Sequence, residues 1–384
     1  MDNKPFSFLV HHSWCVWLVL RVVSDWRLRS LKSITMSFIN SKLIGSQVDA
    51  TEYHGQKIPR GMHAYPMSPS ALKEFARCPN RWLHGYQSPE SEAKDWGSLL
   101  DCLVLTPELF SARYVVPPLT YTETRMKCPK CESLTDSKKC AKCKCDRIES
   151  EVSLLWSPQA LKCQEWKNRQ IEQGLEVISQ QDLDDAKAAR ERLLSDDVIK
   201  AFLDASDKQV MVEAQWEDEA TGLTIPVRCL MDLVPRADTE FAKCVGDLKS
   251  SFTAALTPFA RNVHKLGYHL QAAFDIDMLV AATGEDRNTW CFIVQESFPP
   301  WQPGKRILSQ DFLELGRVEY KRLLRLYCQC LKTGFWPGYD DHDEAVQSWS
   351  VVAPDPWMGS ETLFAPKFEQ SETETTEENC DTTP

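Results

Sequence analysis

A chain of 384 residues, 43% hydrophobic and 26% charged, can bury a substantial core, which excludes a disordered or fibrous polypeptide and leaves one large domain or two small ones. The formal charge of −11 speaks against binding nucleic acid through net positive charge, yet six acids and no base lie in the last sixteen residues, EQSETETTEENCDTTP. Without them the charge is about −5, so its distribution matters more than its sum. Fifteen cysteines, five of them between 128 and 145, point to a metal site in a reducing compartment rather than to a disulfide framework.

The N-terminal run FSFLVHHSWCVWLVLRVV is apolar, but His11, His12 and Arg21 interrupt it and it is too short to span a bilayer comfortably. Residues 1–60 are expected to form a poorly packed extension, explained by an upstream start codon with Met36 as the functional start; a membrane or targeting role for the run is the lesser alternative. From Met67 the pattern is orderly. SPSALKEFARCPNRWLHGY predicts a helix capped by Ser68 or Ser70, with Leu72, Phe75 and Ala76 on one face and Pro79 as its stop. A second helix starts near Ser91 and closes at Thr106-Pro107. Residues 111–156 read as an extended segment holding an inserted cysteine module, and 181–205 as an amphipathic helix pair.

The period then changes. QVMVEAQWED alternates as a strand, ATGL is a turn, and TIPVRCLMDLVPR returns as a second strand, so 209–236 predicts a hairpin. FAKCVGDLKSS is the next strand, 258–283 a single helix, TWCFIVQES a further strand, and 309–333 a long helix ended by Gly334. This order predicts an α/β fold with a mixed sheet and helices on its faces. The tail from 346 to 384 is expected to be disordered from about residue 369.

Asp232 lies in the strand LMDLV, and Asp247 and Lys249 in the next. Positions i and i+2 of a strand share a face, so Asp247 and Lys249 project together, and Asp232 reaches the same patch if the two strands pair. Carboxylates so placed suit Mg²⁺ or Mn²⁺, and the ammonium can steady a developing charge. Against this stands a solvated salt bridge at a strand end, which a lone D-x-K would favour. In CPKCESLTDSKKCAKCKC, Cys128-x2-Cys131 and Cys140-x2-Cys143 are two knuckles spaced for tetrahedral Zn²⁺, with Cys145 as the other candidate fourth ligand. An iron–sulfur cluster is the competing cofactor, and zinc is preferred. Lysines 127, 130, 138, 139, 142 and 144 could meet DNA phosphates or simply be solvated.

An acid, then acid-x-lysine, then the Gln271 helix GYHLQAAF resembles the core of the PD-(D/E)xK nuclease superfamily. SPSALKEFARCPNRWLHGY, WGSLLDCLVLTPELF, the TGL turn before VRCLMDLVP, GDLKSS, GYHLQAAFDIDML and LGRVEYKRLLRLYCQCLKTGFWPGY together resemble the exodeoxyribonuclease VIII type of phage and prophage recombination nuclease. The resemblance implies a restriction-endonuclease-like domain over 61–345 with a zinc-binding insertion at 122–150. It implies Asp232 and Asp247 as metal ligands, Lys249 as the catalytic lysine, and Gln271 with Tyr268 as substrate contacts. Asp101 stands where many relatives carry a metal-binding histidine, and aspartate is a harder ligand for the same ion. Where the helix often carries a tyrosine, this chain has Phe274 and Asp275; Glu213 is a further acid that could line the site. The function implied is a metal-dependent exonuclease acting 5′ to 3′ from duplex DNA ends, cytoplasmic, oligomeric, and working with a single-strand annealing protein. A non-catalytic DNA-binding protein on the same fold, or an endonuclease or single-strand nuclease, is the alternative.

Overall fold

The computed structural model describes residues 38–48, 53, 55, 58–85, 92–135 and 137–339. Of the extension expected over 1–60, residues 1–37 lie outside the described residues, but Phe38–Gly45 is a strand of the central sheet with Phe38 in the main core, so that part is packed; the expected tail, 346–384, lies outside the described residues. One compact unit ends at Trp336; a second begins at Pro337, and its described residues form no helix or strand.

Six strands form the central sheet: β1 (Phe38–Gly45), β7 (Ser206–Asp218), β8 (Leu223–Pro235), β9 (Cys244–Ser251), β10 (Thr289–Glu296) and β11 (Pro303–Ile307), in that spatial order. All neighbours are antiparallel except β9 and β10, which run parallel with Asp247 beside Phe292 and Lys249 beside Val294. The sheet is therefore mixed, as the strand pattern predicts. β1 and β11 are edge strands that the sequence pattern does not reveal. β1 is irregular in register, and β11 is five residues long and opens on a proline, features typical of edges.

Strand alternation sends apolar side chains to both faces. Val212, Ala214, Ile225, Val227, Val245, Phe292 and Val294 enter the main core, covered by α1 (Pro69–Arg77), α8 (Tyr268–Thr283) and α9 (Gln310–Thr333). Leu233, Leu248 and Ile293 point the other way, against α3 (Glu92–Leu105), α5 (Gln180–Leu194) and α6 (Asp197–Asp204). Ser68 caps α1 through its hydroxyl; that helix stops at Arg77, and Pro79 then starts the five-residue α2 (Pro79–Leu83). Between α3 and α5 lie a two-stranded pair, β2 (Tyr114–Val115) with β6 (Glu176–Val177), and α4 (Leu161–Glu172). The same stretch holds the three-stranded antiparallel sheet of β3 (Thr120–Lys127), β4 (Leu134–Thr135) and β5 (Ile148–Leu155), which carries the cysteine module.

The single helix expected over 258–283 is two. α7 (Leu256–Lys265) ends at Leu266, Gly267 takes φ +65°, and α8 starts at Tyr268. An L side chain resists that backbone angle, and a Cβ there would also meet Lys73 Cδ at 2.9 Å. The break turns the first residues of α8 towards β9.

Candidate active site

β8 and β9 pair at one position, Leu233 with Gly246, and the next residues along the antiparallel register are Asp232 and Asp247. Beyond them the ladder opens. A parallel bridge from Met67 occupies the side of β8 instead, with Met67 N donating to Pro226 O at 3.0 Å and Arg228 N to Met67 O at 3.0 Å. In the fork so formed, the Leu248 amide donates to Asp232 Oδ2 at 3.0 Å, and Gln209 Nε2 donates to Asp232 Oδ1 at 3.2 Å. A carboxylate thus replaces a carbonyl of the ladder and is held in place by backbone.

Asp247 is 1% exposed, on the face covered by α8. Lys249 Nζ lies 2.8 Å from its Oδ1 and 2.7 Å from its Oδ2, with the lysine side chain 20% exposed. From α8, Gln271 Nε2 donates to Asp247 Oδ1 at 3.2 Å, and the Tyr268 ring lies under the Lys249 ammonium at 5.3 Å. Asp101 reaches the same group from α3. That helix crosses β9 so closely that a Cβ on Gly97 would stand 2.7 Å from Ser250 Oγ. The structure therefore brings Asp101, Asp232, Asp247, Lys249, Tyr268 and Gln271 into one neighbourhood. Glu213 is not among them: it is exposed on β7 opposite Arg228, about 13 Å along β8 from Asp232. Phe274 is a core residue, packed edge-on against Phe38 and Tyr320.

The charges do not balance. Burial, then the neighbouring Asp247, pushes Asp232 up to about 7 against the pull of Lys249 and the Leu248 amide. Burial and Asp232 likewise hold Asp101 well above the usual carboxylate range. For Lys249 burial acts downward, but Asp247 and Asp232 outweigh it and keep the ammonium charged. Lys73, which sequence reasoning left aside, and Asp275, which it noted only in place of a tyrosine, complete the cluster. Lys73, on α1, donates to Gln271 Oε1 at 3.1 Å and is pushed down to about 8 by burial and by Lys249. Asp275 lies one turn after Gln271, fully buried, with the buried Cys229 thiol as its side-chain neighbour. Burial, then Asp247, hold it well above the usual carboxylate range. A lysine inside an apolar helix face was the signal available for Lys73; for Asp275 it was an acid within a run of buried apolar residues.

Three carboxylates and one ammonium in a partly buried fork form a hard-oxygen donor set short of positive charge, the kind of set a divalent cation takes, though their oxygens do not all lie within 4.8 Å of one another as the four cysteine sulfurs do. Asp101, Asp232 and Asp247 are the residues that would hold such a cation.

The cysteine module forms a second centre. Among the described residues, Cys128, Cys131, Cys140 and Cys143 are the group whose ligand atoms all lie within 4.8 Å of one another. A Zn–S bond of about 2.3 Å places tetrahedral sulfurs about 3.8 Å apart, and Cys131 Sγ is 3.6 Å from Cys140 Sγ. Each Cys-x2-Cys pair is followed by a residue in the left-handed region, Glu132 at φ 59° and Lys144 at φ 57°, so the two knuckles repeat one turn. Burial works against the Cys128 thiolate, but the amides of Cys131 and Lys130 outweigh it and bring the thiol down to about 6; the Cys143 amide lowers Cys140. The four thiols, Cys143 among them, are a donor set that suits a zinc ion. Cys145 lies beside Cys128 at 3.5 Å, outside the set.

The mixed sheet, the helices on its faces and the acid and acid-x-lysine strands define a PD-(D/E)xK nuclease fold. A family model described as a PDDEXK-like domain of unknown function (DUF3799) matches residues 68–348, and the chain belongs to that family. A crystal structure of a Eubacterium rectale protein, provisionally named an exonuclease, is similar at 15% identity, with 84% of this chain and all of that one covered and a TM-score of 0.45. No curated protein matches the chain. Among the described residues no helix is long and apolar enough to cross a membrane.

Proposed function

We propose that the protein is a divalent-cation-dependent deoxyribonuclease that hydrolyses duplex DNA from its ends, 5′ to 3′, in recombination of the phage type. The observation that carries this reading is the pair Asp232 and Asp247 side by side at the β8–β9 fork, with Lys249 and Gln271 both bonded to Asp247. End preference and polarity rest on the sequence resemblance. In this reading Asp101, Asp232 and Asp247 hold Mg²⁺ or Mn²⁺, which when bound lowers the pKa of water and stabilises phosphoryl charge. Lys249 stays cationic beside the attacked phosphate and offsets the charge that develops on its oxygens. Gln271 fixes the Asp247 carboxylate, while Lys73 fixes Gln271 and adds a second positive charge behind it. Zinc would hold the cysteine module, whose lysines we assign to DNA phosphates beside the cleft. An annealing protein that receives the exposed strand, and a homo-oligomer that encloses DNA, belong to the same proposal.

Linear duplex labelled at either 5′ or 3′ ends, and closed circular DNA, test it directly with Mg²⁺ present. Loss of the 5′ label first and survival of the circle are expected. Lys249→Ala and Asp247→Ala should each lower the rate by about 10²–10³-fold or more. Cutting of the circle would make the enzyme an endonuclease, and full activity in both variants would remove the site assignment.

A further inference from the structure

Three residues beyond Lys249, β9 ends and the chain presents Phe252, 80% exposed. Directly after the adjacent parallel strand β10, Phe298 is 55% exposed, and the two rings meet edge to face with centroids 5.4 Å apart. Aromatic side chains of this size normally supply core, so a paired exposure at the end of the strands that carry the candidate catalytic residues needs a reason.

The two segments that carry the pair are bonded to each other. Ser251 O accepts from Ser297 N at 2.9 Å and from Ser297 Oγ at 3.3 Å, which ties the two loops together at the residues preceding each ring. Ala254 N donates to Glu296 Oε1 at 2.9 Å, so the acid nearest the pair is engaged by backbone. Beneath the second loop, fully buried Gln295 donates to Trp301 O at 2.7 Å. Arg306 of β11 donates to the carbonyls of Ala254 and Lys305, which ties the segment after Phe252 to the edge strand. Two exposed aromatic rings at the end of a strand whose Lys249 ammonium lies about 10 Å back along it match the way single-stranded nucleic acid is held, by stacking on rings and by charge along the backbone.

We propose that Phe252 and Phe298 form a stacking post for unpaired bases of the strand being cleaved, holding that strand away from its complement next to the scissile phosphate. The proposal rests on the nuclease reading above, and its occupant is single-stranded DNA. It is carried by the exposure of both rings, by the bonds between the segments that bear them and by their place at the end of β9.

The test uses the full chain without divalent cation and fluorescein-labelled oligonucleotides, single-stranded and blunt duplex, read by anisotropy across a salt series. Phe252→Ala with Phe298→Ala should weaken single-strand binding by roughly fivefold to a hundredfold, with the salt slope unchanged and blunt duplex binding affected less. Phe252→Trp should bind as the parent does, whereas Phe252→Leu, which keeps apolar area but no ring face, should behave like the alanine variant. Equal single-strand affinity in parent and double variant overturns the proposal. So does a change in sedimentation of the double variant without DNA, which would make the patch a contact between copies of the chain. Lys249→Ala, assayed alongside for cleavage, separates the two ideas: a fully active Lys249→Ala fails the nuclease site itself, while its inactivity combined with unaltered phenylalanine variants fails the stacking post alone.

Discussion

Asp232 is the residue where function and stability oppose each other most directly. Its carboxyl is raised from an ordinary 3.8 to about 7 by burial and by Asp247. Between those values the unfolded chain releases the proton while the folded one keeps it, so without a cation stability falls as pH rises from about 4 to 7 and stays low above that. Asp232→Asn keeps an oxygen for the Leu248 amide and removes the charge. We therefore expect it to melt higher than the parent at pH 8 in EDTA, to converge with it near pH 4, and to have no nuclease activity. A parent that is already the more stable at pH 8 would contradict the charge surplus on which the cation assignment rests. Lys73 acts through Gln271: Lys73→Met should lower the cleavage rate by about tenfold, through loss of one hydrogen bond to the Gln271 amide, with less change in DNA affinity, checked by separating kcat from KM.

Helix α8 delivers Gln271 and Tyr268, and its placement depends on two close fits. At the crossing with α9, a Cβ on Gly316 would fall 2.1 Å from the His269 carbonyl oxygen, so the two backbones touch. Gly316→Ala must push the helices apart; a loss of about 3 kcal/mol, seen as a melting point lower by roughly 5–10 °C, is the expected outcome. The same helices are joined by His269 Nε2 and Glu319 Oε2 at 2.7 Å, with Nδ1 at 3.2 Å from Val263 O. Burial pushes His269 down, but these two acceptors outweigh it and hold it above 6.5; His269 in turn holds Glu319 below 4.5. The histidine's share is complete below 6.5 and is lost as pH rises through its raised value. The glutamate's share is present above 4.5 and is lost as pH falls through its lowered value. The pair therefore contributes most between about pH 4.5 and 6.5. His269→Gln should cost about 1 kcal/mol there and less at pH 8, measured by urea unfolding across pH.

On the scale of the whole molecule, the nuclease core and the cysteine module are stabilised by different means. The large clusters on both sheet faces lie in the core, whereas the module's strands expose Leu134, Ile148 and Leu155 and bury little besides two cysteines and Arg147. Metal binding would supply most of the module's folding free energy. About one zinc per chain is expected by elemental analysis, reduced by Cys128→Ser or Cys140→Ser, with limited proteolysis then cutting between 128 and 145 while the core resists. Zinc content unchanged in both variants would remove the site.

The hairpin, β9, β10, the helices of 69–105 and 180–204, and the long C-terminal helix were legible in the sequence because each satisfies its own periodicity and caps locally. β1 and β11 were not, because an edge strand is defined by its neighbour and carries little alternation of its own. The knuckle spacing of the four cysteines, the i, i+2 projection of Asp247 and Lys249, and a mixed α/β fold are thus consequences of local sequence. Tertiary structure decided the rest. It gathered Cys128, Cys131, Cys140 and Cys143 into one group, placed Glu213 away from the fork, broke 256–283 at Gly267, and brought Lys73 and Asp275 to the candidate site from helices that sequence distance separates. Those outcomes depend on which faces are buried against which, a property of packing between elements that no single segment encodes.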